Sequence, residues 1–182
     1  LLECEKALSQ FMILKRKALL GPDPGDDKDA TVLNRHLHWD GNGLGSTIEY
    51  EPDPRHVEIL LAEFGLLSNS VKGVTTPITA QEAALHMVVE AGRDALAEGG
   101  RLLGKTEVSR FRSLVMRIGF LAQDLPQIQF PWKEAAQHMT APDAGSMQHL
   151  KRIARYLKHR PRWVQVFRQQ EMPKRLVVRT DS

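Results

Sequence analysis

Basic side chains are concentrated near the end of this 182-residue chain. Between Lys151 and Arg179, ten Lys or Arg residues stand against one acid, Glu171, so this segment has a charge of +9 in a chain whose net charge is +3. Such an uneven distribution favours a polyanionic partner. The sequence therefore predicts a nucleic-acid-binding surface, and its candidate residues are Lys151, Arg152, Arg155, Lys158, Arg160 and Arg162.

The first four of these residues recur at helical spacing beside an apolar stripe. On such a face, Lys and Arg would contact phosphates without reading the base sequence. The alternative is a solvated helix face whose late basic residues complement the helix dipole. Because the basic excess continues to Arg175, nucleic-acid contact is favoured. Trp163 and Phe167 are candidates for stacking on bases, although packing in a strand core is favoured for both.

Acidic and histidine residues suggest other sites more weakly. Asp26 and Asp27 lie in a loop rich in Gly and Pro, which is unlike a tight metal-binding hairpin, so no catalytic role is expected. His36 and His38 point to one side of a predicted strand, and His56 follows. No third candidate ligand lies at a spacing typical of metal sites. An ordinary hairpin surface is therefore favoured over a metal site.

The remaining motifs exclude several classes of protein. The single Cys4 permits no internal disulfide and no multi-cysteine metal site, which favours a reducing, intracellular compartment. Its neighbours Glu3 and Glu5 oppose thiolate formation, so a nucleophile is not expected. The Gly41-x-Gly-x-Gly45 run lies between predicted strands, which indicates a turn and not a phosphate cradle. No apolar run approaches the roughly 20 residues that cross a bilayer, and no signal peptide is expected.

Apolar periodicity predicts the elements that must position these residues. Asp53 and Asp143 are predicted helix caps, Gly65 a helix stop, and Pro131 a residue that kinks or delays its helix. The composition suits one compact domain or two small ones. Helices are predicted near 2–14, 54–64, 79–97, 107–123, 127–139 and 143–159, and strands near 31–39, 47–50, 163–168 and 175–180.

Three sequence blocks follow one another in the second half of the chain: Arg112-Ser-Leu-Val, Leu121-Ala-Gln-Asp and Arg155-Tyr-Leu. Together with Thr31-Val-Leu-Asn-Arg and Thr75-Thr-Pro, they resemble the copia-type LTR retrotransposon Pol polyprotein. The resemblance covers about Thr31 to Ser182, in the region that joins reverse transcriptase to ribonuclease H. Leu1 in place of Met fits a fragment of a longer product.

The resemblance implies an α+β fold, a mainly helical thumb and connection segment flanked by a β-hairpin at each end. Residues 1–75 would be the end of the reverse transcriptase palm with the first thumb helix, and 76–105 a variable linker. Residues 106–160 would form the helical thumb and connection, and 161–182 the first, incomplete hairpin of ribonuclease H.

The same resemblance implies that the fragment is catalytically incomplete. The polymerase aspartates would precede Leu1. Asp181 would be the first metal ligand of ribonuclease H, with the other ligands beyond Ser182. Mg²⁺ is therefore the expected cofactor of the parent polyprotein, and none is expected for the fragment alone. Whether the chain acts as an enzyme stays open on the sequence.

The expected role is to position a primer–template or RNA–DNA hybrid without sequence specificity. The rest of the polyprotein would be a partner, no membrane contact is expected, and an active element would place the chain in a cytoplasmic virus-like particle or the nucleus. Two alternatives remain open. A domesticated helical protein-interaction module predicts salt-insensitive binding to a protein, and a non-functional pseudogene fragment predicts a reading frame broken in the flanking DNA.

Overall fold

The computed structural model describes residues 2–79, 101–171 and 175. The chain forms two compact units, one of residues 1–51 with 164–182 and one of residues 52–163. We call them the sheet unit and the helical unit. A four-stranded antiparallel sheet in the first and packed helices in the second confirm the predicted α+β class. The two units group the residues differently from the four segments expected from the sequence.

The sheet unit begins with a short helix and continues into the sheet. Helix α1 ends at Ser9, earlier than the predicted Leu14, and Phe11 and Ile13 beyond it are exposed. The strands lie in the order β1-β2-β3-β4, each antiparallel to its neighbour. The elements are α1 (Leu2–Ser9), β1 (Asp29–Val32), β2 (Arg35–Asp40), a 3-10 turn (Gly43–Gly45), β3 (Thr47–Glu51) and β4 (Gln165–Arg168).

One predicted strand is two strands in the structure. The alternation from Thr31 to Trp39 predicted a single strand, but a tight turn at Leu33 and Asn34 separates β1 from β2. Both turn residues have positive φ, 51° and 62°. Asn adopts this region readily, whereas Leu rarely does. The turn therefore lacks the Asn-Gly pair that usually indicates a hairpin in a sequence. For this reason the prediction of a single strand was wrong. The predicted turn at Gly41–Gly45 does connect β2 to β3.

The last described strand, β4, belongs to the same sheet as β1, β2 and β3. The sequence predicted that β4 would form a separate hairpin with 175–180, but its described partner is β3, with Phe167 opposite Ile48. This pairing gives the outer backbone groups of β3 hydrogen-bond partners and sets two apolar side chains side by side. The predicted partner strand lies outside the described residues, apart from residue 175. The predicted helix after Thr79 also lies outside them.

The helical unit follows the predicted helices closely. Their apolar stripes face one another, and Phe111, Val115, Ile118, Leu150 and Ile153 are fully buried at the centre. Burial of such stripes, more than helix propensity, stabilises helices of this length. The elements are α2 (Arg55–Glu63), α3 (Lys105–Ala122), a 3-10 turn (Pro126–Ile128), α4 (Gln129–Gln137) and α5 (Ala144–His159).

The residues predicted to mark helix ends lie at or next to those ends. Buried Asp53 accepts the backbone N–H of Arg55 at 3.0 Å, and the guanidinium of Arg55 holds the pKa of this carboxyl below its usual range. Gly65 ends α2 with φ of +64°. Asp143 accepts the N–H of Ser146 at 2.7 Å and caps α5. Pro131 is in the first turn of α4, where its missing N–H costs no intrahelical bond.

Candidate nucleic-acid interface

Helix α5 carries most of the predicted basic surface. Its N-terminus is fixed by the Asp143 cap, and Leu150, Ile153 and Leu157 bury its apolar stripe in the core of the helical unit. A helix held at its cap and along one face has a defined rotation about its axis. The basic residues beside the stripe are therefore held in fixed directions.

Three of the six candidate cations bind a neighbouring segment of the chain. Lys158 Nζ donates to the carbonyl oxygens of Leu66 and Ser68. Arg155 Nε donates to the carbonyl of Lys72 at 3.2 Å, and Arg152 Nη2 donates to Thr76 Oγ1 at 3.0 Å. We call Arg152, Arg155 and Lys158 the clamp cations and residues 66–76 the anchored segment. Since the order of donors is the reverse of the order of acceptors, the segment runs antiparallel to α5.

The backbone of the anchored segment lies directly on α5. Val74 donates its N–H to the carbonyl of Arg155 at 3.2 Å. At Gly73, a Cβ atom would lie 2.7–2.9 Å from the Cβ, Cα and N atoms of His159, closer than any real side chain approaches. Only glycine permits this approach. Lys158 and Arg155 therefore satisfy carbonyls, and Arg152 binds a hydroxyl, of a segment that is already packed against the helix.

We call the other three candidates, Lys151, Arg160 and Arg162, the outer cations. Lys151 is half-buried and makes no hydrogen bond or ion pair within the part of the chain that the structure describes. Exposed Arg160 places its guanidinium carbon 6.0 Å from the ring centroid of Tyr156 and 5.9 Å from that of Trp163. Arg162 is exposed. Cation–π contact orients a guanidinium while its N–H donors stay available.

The two aromatic candidates differ in environment. Trp163 is half-buried and packs against the core of the helical unit, so the structure favours packing over base stacking. Phe167 on β4 is 55% exposed, and the prediction that it lies in a strand core is wrong. In the sheet unit, Arg168 and Arg175 are exposed as well.

Two arginines have structural roles that the sequence did not reveal. Arg112, in the first residue block of the resemblance, donates through Nε to the carbonyl of Met139 at 2.8 Å, just beyond α4. Arg110 binds the carbonyl and the carboxylate of Glu63, the last residue of α2. Both satisfy carbonyls at helix C-termini. Their acceptors lie far away in sequence, so no local spacing could have indicated them.

The acidic candidates hold the loop before β1. Asp26 accepts the N–H of Asp23 at 3.1 Å, and Asp27 accepts the N–H of Leu19 at 2.9 Å. These bonds give both carboxylates a local role. Asp181, the expected ribonuclease H ligand, lies outside the described residues.

The histidine candidates lie in different units. His36 and His38 contact Asp29 within the sheet unit, and His56 contacts Arg117 and Phe120 within the helical unit. Among residues 2–79 and 101–171, no group of three His, Cys, Asp or Glu side chains is arranged to hold a metal ion.

An apolar groove of about 730 Å³ runs between α3 and α4. Gly119 lets the two helices approach, because a Cβ there would lie 2.6–2.9 Å from the indole of Trp132. The Trp132 indole donates to the carbonyl of Val115 at 3.0 Å, which fixes the groove wall. Met116, Phe120, Phe130, Trp132 and Lys133 are among the residues that line it.

The chain matches no protein-family model, no curated protein and no solved structure. The resemblance to the copia-type polyprotein therefore stays a prediction, and a function has to be argued from the geometry above. None of the described helices combines the length and the apolar character needed to cross a membrane.

Proposed function

We propose that the chain is the thumb and connection part of a copia-type Pol polyprotein and holds a nucleic-acid duplex by its phosphates. The duplex would be a primer–template or an RNA–DNA hybrid. The observation that supports the proposal is that the basic residues on α5 and just after it fall into two groups with different contacts. The clamp cations hold the anchored segment, whereas Lys151 on the same capped and packed helix makes no hydrogen bond or ion pair within the described residues. Arg160 and Arg162 follow the end of α5 and are exposed.

The outer cations are expected to contact the phosphates of the duplex and not to read its bases. Lys and Arg that reach phosphates fix the position of a duplex without distinguishing its sequence. Each phosphate contact releases condensed counterions and contributes about −0.9 to the slope of log K against log salt. Three contacts therefore give a slope of about −3.

In this proposal the chain positions nucleic acid and other parts of the polyprotein carry out the chemistry. Asp181 would supply one carboxylate of a ribonuclease H site, and a pair of Mg²⁺ ions needs several. The Mg²⁺ of the parent would therefore be held mostly by residues outside this chain. The remaining polyprotein is the expected covalent partner.

Fluorescence anisotropy with a labelled RNA–DNA hybrid tests the proposal. Between roughly 50 and 200 mM salt, the affinity should fall with a slope of about −3 or steeper. Two hybrids of unrelated sequence should bind equally. A slope near zero, or absence of binding at the lowest salt concentration, would contradict the proposal.

The groove between α3 and α4 supports a second candidate function, a helical protein-interaction module. Its apolar lining and the exposed Met116 and Phe130 resemble grooves that accept an amphipathic helix. Binding there would bury apolar surface and would depend little on salt. The variant Phe130→Asp distinguishes the two functions. It should abolish the binding of a partner in the groove and leave the binding of the hybrid, measured by anisotropy, unchanged.

A further inference from the structure

Two histidines lie among four carboxylates on one face of the sheet. His36, His38 and Asp40 alternate along β2 and point to the same face. Residues directly opposite one another on neighbouring antiparallel strands share a face. Asp29 of β1 is opposite His38 on one side, and Glu49 of β3 is opposite it on the other. Glu51 is opposite His36.

A single carboxylate contacts both imidazoles. Asp29 Oδ1 lies 2.8 Å from His38 Nδ1 and 3.3 Å from His36 Nε2. Asp29 is the first residue of β1 and the histidines belong to β2, so this contact links the two strands by their side chains. All three side chains are partly exposed and therefore open to proton exchange with solvent.

Apart from its backbone pairing with β2, few contacts hold β1 to the sheet. It is an edge strand of four residues, and none of them is buried. Val32 is 46% exposed and the adjoining Leu33 is 76% exposed. Strands with few buried apolar contacts open locally at a small cost in free energy. The side-chain link through Asp29 therefore adds to the backbone pairing that keeps this edge in place.

We propose that protonation of His38 fastens β1 to the sheet, so that this edge is a pH-sensitive clasp. In the protonated state the imidazolium binds the Asp29 carboxylate with opposite charge. In the neutral state the imidazole can still donate a hydrogen bond to the carboxylate, but the attraction between opposite charges is lost and the edge opens more often. Lys28 and Asp27 directly precede β1 and hold the loop from Leu19, so opening would also loosen that loop.

The charges around His38 determine the direction of the effect. The hydrogen bond to Asp29 raises the pKa of His38 above its ordinary value of 6.5; burial opposes this, and the charges of Asp29, Glu49 and Asp40 reinforce it. Because the folded value exceeds the unfolded one, the added stability is fully present below pH 6.5 and is lost as pH rises through the raised value. His36 and Glu51, directly opposite one another, are the other titratable groups of β2 and β3 on this face.

Amide hydrogen exchange of the full chain, followed by NMR and normalised to intrinsic rates, tests the clasp. The β1 amides should be several-fold better protected at about pH 5.5 than at about pH 7.5. Asp29→Asn should abolish this difference. Asp40→Asn removes the same charge from the far end of β2 and should preserve most of it. Equal protection of wild-type β1 at both pH values, or an unchanged pH dependence in Asp29→Asn, would overturn the proposal.

Discussion

Replacing Phe111 with alanine is expected to lower the free energy of unfolding of the helical unit by about 3–5 kcal/mol. Phe111 has no exposed surface and lies in the core that α2, α3 and α5 share. Capped and clamped helices collapse poorly into the space that a lost ring leaves, so the cavity persists and its cost adds to the lost burial. Urea unfolding followed by the far-ultraviolet circular dichroism of the helices measures the loss.

Phe130→Ala is the matched control, because it removes the same ring from a side chain that is 44% exposed. Its solvent-facing part contributes little burial, and we expect a loss below about 1 kcal/mol. If the two variants lost equal stability, Phe111 would not be at the centre of the core.

Replacing Lys158 with methionine is expected to destabilise the helical unit by about 1–3 kcal/mol. Methionine keeps an unbranched apolar stem and removes the ammonium that binds the carbonyls of Leu66 and Ser68. Both carbonyls then lose a charged donor, and the anchored segment loses its first attachment to α5. The site is partly exposed, so water compensates for some of the loss. Thermal unfolding and exchange of the amides in residues 66–76 should report it together.

Lys151→Met provides the control for this prediction. It removes the same charge from the same helix, and Lys151 makes no hydrogen bond within the described residues. Its effect on stability should stay within about 0.5 kcal/mol. A loss as large as that of Lys158→Met would show that helix charge, and not the clamp, is the cause.

The helical unit is the part of the fold that the sequence predicts well. Apolar residues at i, i+3, i+4 and i+7 locate α3 and α5, and Asp143 and Gly65 mark helix ends by their own backbone chemistry. These signals are local. The sheet depends on non-local pairing, and the turn at Leu33 uses a residue that rarely adopts positive φ. The prediction therefore failed where tertiary pairing overrides local preference.

In the candidate site too, the sequence predicts what depends on local composition and does not predict what depends on non-local contacts. Charge counting locates the basic surface at α5, because net charge is a property of the sequence. It does not separate Lys158 from Lys151, since the distinction depends on a backbone segment more than 80 residues earlier in the chain, near Ser68. The acceptors of Lys158 and Arg155 are backbone carbonyls, which every residue has, so no side-chain pattern indicates them.

The most direct test of the division between outer and clamp cations compares Lys151→Met with Lys158→Met in the salt dependence of RNA–DNA hybrid binding. Both variants lose one positive charge from α5 and are measured under conditions where they are folded. We predict that Lys151→Met reduces the magnitude of the slope by about 1, and that Lys158→Met leaves it unchanged. Equal reductions by the two variants would contradict the account, because Lys158 would then contact phosphate as Lys151 does.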